Sequence, residues 1–73
     1  MNKSAIGRSI FAQIKTHIQQ SGGSLTPKNF PPDFPISRAS CYNIRAGKWT
    51  VELLAKLPFE TGVSVNYQNQ NQK

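Results

Sequence analysis

Side chains able to do chemistry are few in this sequence, and they stand apart. The single histidine, His17, has no cysteine or carboxylate at ligand spacing, so the pattern offers no metal site. The single cysteine, Cys41, sits where a packing residue is wanted and has no base beside it to activate a nucleophile. Asp33, Glu52 and Glu60 are scattered, and no glycine-rich loop is present to cradle a phosphate. The expectation is a protein with no catalytic site, no cofactor, no metal and no small-molecule substrate.

The chemistry that remains is that of cations and amides. Nine Lys and Arg face three acids, a formal net charge of +6 on 73 residues. Such a surplus suits a polyanion, because neutralising phosphates releases their counterions. Membrane-surface peptides share the same charge balance, so charge by itself names no partner. The segment Ser37-Arg38-Ala39-Ser40-Cys41-Tyr42-Asn43-Ile44-Arg45-Ala46-Gly47-Lys48 is the densest in relevant groups. Asn43 has the amide that pairs with both edge atoms of an adenine, and Arg38 has the fork that meets guanine. Arg45 and Lys48 suit phosphates, which position a protein without reading sequence. Trp49 can donate its indole N–H to a phosphate, but the lone tryptophan of a small domain is favoured as a packing anchor.

These groups need elements to hold them. Ile6, Ile10, Ile14 and Ile18, with Phe11 beside them, recur at helical spacing and predict an amphipathic helix over 5–20 with Ser4 as N-cap. Ser21-Gly22-Gly23-Ser24 ends it. The stripe is narrow and its polar side carries few cations, which favours core packing over membrane binding. In residues 25–35, Thr26-Pro27 reads as a helix start, yet Pro31-Pro32 follows at once and leaves room for one turn at most. Leu25, Phe30 and Phe34 are then anchors for an irregular segment.

A second helix is predicted over 37–46, with Ser37 as N-cap, Ile36 stapled to Cys41, and Gly47 as the closing glycine. On its wheel Cys41 and Ile44 form the rear with Ser37, and Ala39, Tyr42, Asn43 and Ala46 form the front, with Arg38 and Arg45 on the borders. A third helix is predicted over 50–57, with Thr50 as N-cap, Val51, Leu53, Leu54 and Leu57 as its apolar face, and Pro58 at its end. The run Gly62-Val63-Ser64-Val65-Asn66-Tyr67 alternates as a short strand does, and a final helical turn is the other reading. Gln68 to Lys73 is a Gln/Asn-rich string with nothing to bury, expected to be a disordered tail after a single domain of residues 1–67.

Taken together the motifs resemble the lambda-repressor-like helix-turn-helix family, the Cro and phage-repressor type. The resemblance is carried by Leu25-Thr26, by Ile36-Ser37-Arg38-Ala39-Ser40, by Tyr42-Asn43-Ile44-Arg45-Ala46-Gly47-Lys48 and by Gly62-Val63-Ser64-Val65, in register over about residues 25–67. It implies an all-α, small helix-turn-helix domain of about four helices, the second short or irregular, with a short C-terminal strand as an option. It also implies a recognition helix over 37–46 lying in the major groove. The family's base-reading positions fall on Arg38, Ala39 and Asn43, and its backbone contacts on Ser37, Tyr42, Arg45, Gly47 and Lys48. The chain departs from the family at Pro27, where Gln is usual, at Pro31-Pro32, at Arg45-Ala46 in place of Glu-Asn, and at Thr61.

The function expected on this basis is a sequence-specific double-stranded DNA-binding protein, a small transcriptional regulator of the repressor type. The competing reading is a protein–protein interaction module on a decayed helix-turn-helix scaffold, and a third is nonspecific nucleic-acid binding. A weak homodimer through residues 58–67 is expected, because Phe59, Val63, Val65 and Tyr67 are more apolar than a tail requires. The alternative for that segment is folding back over Leu53 and Leu57. No apolar run approaches the roughly 18 residues of a membrane span, and one cysteine cannot close an internal disulfide, so a cytoplasmic location is expected.

Overall fold

A computed structural model of the chain describes residues 2–63. Three helices are present among them, α1 (Lys3–Gln20), α2 (Arg38–Arg45) and α3 (Val51–Leu54). All lie where the hydrophobic periodicity places a helix, and the class is all-α. The fourth helix expected of the family is absent from the described residues. In its place residues 24–36 form a loop with two short turns: the Pro31 carbonyl accepts from Phe34 N–H in the second, and the Thr26 carbonyl accepts from Asn29 and Phe30 N–H in the turn before it. Proline at 31 and 32 prevents that turn from propagating. Of the expected strand over 62–67, residues 64–67 lie outside the described residues, and Gly62 and Val63 are not in a strand.

Two helix boundaries differ from expectation. α1 begins two residues earlier than position 5, capped by Asn2, whose Oδ1 accepts from Ala5 N–H at 3.0 Å. Asn and Ser are near-equal caps, so local preference does not choose between them. The two added residues are used at once, because they bring Lys3 to Trp49 and Ser4 against Gly47. α3 stops at Leu54 instead of reaching 57. Leu57 precedes Pro58, which disfavours the α region there. The chain tightens through bonds from Lys56 N–H to the Leu53 carbonyl and from Leu57 N–H to the Leu54 carbonyl.

The other termini follow the sequence closely. Ser37 Oγ accepts from Ser40 N–H at 3.1 Å, and Thr50 Oγ1 accepts from Leu53 N–H at 3.1 Å. α1 and α2 both close with paired reverse bonds: Gly22 to Gln19 and Gly23 to Ile18 in one, Gly47 to Ile44 and Lys48 to Asn43 in the other. Gly22 and Gly47 take φ of +89° and +84°, a region other residues enter at a cost.

The core is a single cluster. Ile10, Ile14 and Ile18 of α1 meet Ile36, Cys41 and Ile44 around α2, with Trp49, Leu54 and Leu57 closing it. Ile36 and Cys41 are both buried, as a staple requires. Leu25, Phe30 and Phe34 pack on the cluster from the loop. Phe59 and Val63, both half-buried, pack on it from the C-terminal side, as the folding-back alternative expects at these two residues. Val65 and Tyr67 lie outside the described residues. No helix of the described residues is long and apolar enough to cross a membrane.

Candidate nucleic-acid interface

α2 owes its position to a close crossing with α1. A Cβ on Gly7 would run into the Ile44 carbonyl and come within 3.3 Å of the Trp49 indole nitrogen, so only glycine admits this approach. The next contact is a reciprocal one. Trp49 Nε1 donates to the Lys3 carbonyl at 3.0 Å, while the Lys3 ammonium donates to the Trp49 carbonyl and lies 4.6 Å from the centre of its ring. With Trp49 only 3% exposed, its indole N–H is spent inside the molecule, which settles its role as packing. α2 is thus tied to α1 just beyond its C-terminal end, and at the other end Arg38 ties it to the loop through the Leu25 carbonyl.

On that helix Cys41 and Ile44 are fully buried, and Ala39, Asn43 and Ala46 make an exposed stripe on the opposite side. Burial pushes the Cys41 thiol from an ordinary value near 9 up to about 11, so it stays protonated and inert at neutral pH. Ser37, Arg45 and Lys48 are exposed, and Gly47 is half-buried against Ser4.

One side chain departs from the wheel, and a border residue is drawn the same way. Tyr42, placed on the front by spacing, leans to the α1 flank, where its ring lies 5.2 Å from that of Phe11. Arg38 donates Nε to the Leu25 carbonyl at 2.6 Å and stacks its guanidinium 5.3 Å from the Tyr42 ring. Arg45 lies over the same flank, 5.1 Å from the Tyr42 ring centre and 5.3 Å from that of Phe11. Between these groups is a hollow of about 330 Å³, whose wall also includes Lys15 and Pro27 and no acidic side chain. Phe11 and Lys15 are the members that reading α2 by itself cannot supply. Their i, i+4 spacing on α1, at the edge of the isoleucine stripe, is the signal that points to them.

On the far side of α1 a second hollow of about 380 Å³ is lined by His17, Phe59 and Glu60 among others. His17 packs there between rings, 5.6 Å from Phe59 and 6.3 Å from Phe34. Among the described residues no group of three His, Cys, Asp or Glu side chains is placed to hold a metal. No family model, characterised protein or solved structure matches the chain.

Proposed function

We propose that this chain is a sequence-specific double-stranded DNA-binding protein, a small regulator of the repressor type, that enters the major groove with α2. The observation that carries the reading is the division of α2 into a buried rear, Cys41 and Ile44, and an exposed stripe of small and amide side chains, Ala39, Asn43 and Ala46. A helix of this kind fits a groove only where its front is low, and alanine on either side of Asn43 lets the amide reach a base edge. Ser37, Tyr42, Arg45, Gly47 and Lys48 border the stripe and are assigned to the phosphates. The net charge of +6 supplies the sequence-independent part of the affinity.

One helix of eight residues reads only a few base pairs, so discrimination calls for a second copy on a neighbouring half-site. We assign the weak pairing to residues 58–67, where Phe59 and Val63 pack on the core and stay only half-buried.

The test is a chemical-shift titration with random-sequence duplex at low and high salt. Shifts concentrated in residues 37–48 and binding that weakens steeply with salt are expected. Binding indifferent to salt, or shifts centred on residues 24–36, would favour the protein-interaction reading. The observation behind that second reading is the proline loop, which stands where the family lays a helix across the DNA backbone and leaves Pro27, Pro32 and Pro35 exposed.

A further inference from the structure

The hollow beside α2 gathers three cations, Lys15, Arg38 and Arg45, around two aromatic rings. Those rings are already covered. Tyr42 has a guanidinium 5.3 Å from its centre on Arg38 and another 5.1 Å away on Arg45, and Phe11 has Arg45 at 5.3 Å. A nucleobase seeking a stacking platform would have to displace a guanidinium. A phosphate would not, because a guanidinium lying over a ring keeps its N–H edge for bidentate bonding to oxygen.

Arg38 is restrained twice, by the Tyr42 ring and by its Nε bond to the Leu25 carbonyl, which leaves its terminal amino groups as the donors. Side chains restrained before binding lose less entropy when a ligand arrives. Lys15 brings the third charge from α1, and the exposed Arg8, two turns earlier on the same helix face, extends the line.

We infer that this hollow is a phosphate clamp, in which Lys15, Arg38 and Arg45 hold the backbone of one DNA strand beside the groove that α2 enters. The inference rests on the DNA-binding reading and changes it at two residues. Lys15 brings α1 into the interface, and Arg38 holds backbone instead of reading guanine. The geometry of α2 requires the flank to play this part. With Ala39, Asn43 and Ala46 facing the bases, the side carrying Arg38, Tyr42 and Arg45 faces a bordering strand. The clamp is continuous with that face, and no acid interrupts it.

The test is the salt dependence of duplex affinity, measured by fluorescence anisotropy on the full chain and single variants. Lys15 is exposed, so Lys15→Gln leaves the core alone. It is expected to lower the salt slope by about one and the low-salt affinity several-fold. Arg38→Gln, with helix content checked by circular dichroism, is expected to weaken binding to every duplex alike. Lys28→Gln, exposed on the loop outside the hollow, serves as the control and should leave the slope unchanged.

If the parent chain binds duplex and Lys15→Gln keeps the parent slope, the clamp is overturned while the DNA-binding reading stands. A loss confined to guanine-bearing sites in Arg38→Gln overturns the reassignment of Arg38. A parent chain that binds no duplex even at low salt overturns clamp and function together, and uptake of an acidic peptide would then give the hollow to a protein partner.

Discussion

Lys3 and Trp49 hold each other by their backbone carbonyls: the indole N–H donates to the Lys3 carbonyl, and the Lys3 ammonium donates to the Trp49 carbonyl. The pair ties the first turn of α1 to the strap between α2 and α3, and with it sets the angle at which α2 is presented. Trp49→Phe keeps a ring in the core and removes the indole donor. The expected loss is about 1–2 kcal/mol in urea unfolding, near the worth of one part-buried hydrogen bond plus some lost packing. In a domain this small that lowers the melting temperature by about 4–8 °C per kcal/mol. An unchanged midpoint would show the clasp to be ornamental.

Gly7 inverts the usual helix rule. Replacing a mid-helix glycine by alanine ordinarily gains about 1 kcal/mol. Here the added methyl would meet the Ile44 carbonyl, and backbone cannot step aside as a flexible side chain can. Gly7→Ala is expected to destabilise by about 1–3 kcal/mol or more, the cost of overpacking. Ala12→Gly, the reverse exchange at an exposed position of the same helix, should cost only about 1 kcal/mol. A stabilised Gly7→Ala would mean that α1 and α2 do not cross here.

Asn43 separates reading from holding. On a duplex selected for tight binding, Asn43→Ala should lose about 1–3 kcal/mol, roughly five- to 150-fold in affinity. On random duplex it should bind as the parent does, with the same salt slope. Equal losses on both would assign Asn43 to the backbone.

Cys41 predicts an alkaline limit. Its folded-state pKa is raised to about 11 from an ordinary value near 9, so between these values the folded chain keeps a proton that the unfolded chain gives up. Stability from this group is therefore complete below pH 9 and is lost as pH rises from 9 toward 11. Cys41→Ala begins less stable because of the cavity it leaves, but its stability should fall less steeply across that interval. At neutral pH a thiol reagent should label the native chain far more slowly than the chain in urea. Native labelling as fast as unfolded labelling would contradict the burial.

Much of the local structure is determined by the sequence alone. The isoleucine stripe dictates α1, Ser37 and Gly47 bound α2, Thr50 starts α3, and the proline pair forbids a helix over 31–32, because caps, periodicity and missing N–H groups act within a few residues. The exposed stripe of α2 is readable for the same reason, since a wheel needs only 3.6 residues per turn. What the sequence leaves open depends on partners far along the chain. Asn2 and Ser4 are equivalent as caps until Trp49 is there to engage Lys3. Gly7 looks like a flaw in a helix until Ile44 lies against it. Tyr42 belongs to the front of α2 and Arg38 to its border on any wheel, and it takes Phe11 from α1 and the Leu25 carbonyl from the loop to hold both on the flank. Spacing along one helix cannot report a second surface brought up beside it, and that is why the hollow with Lys15 is a property of the tertiary structure.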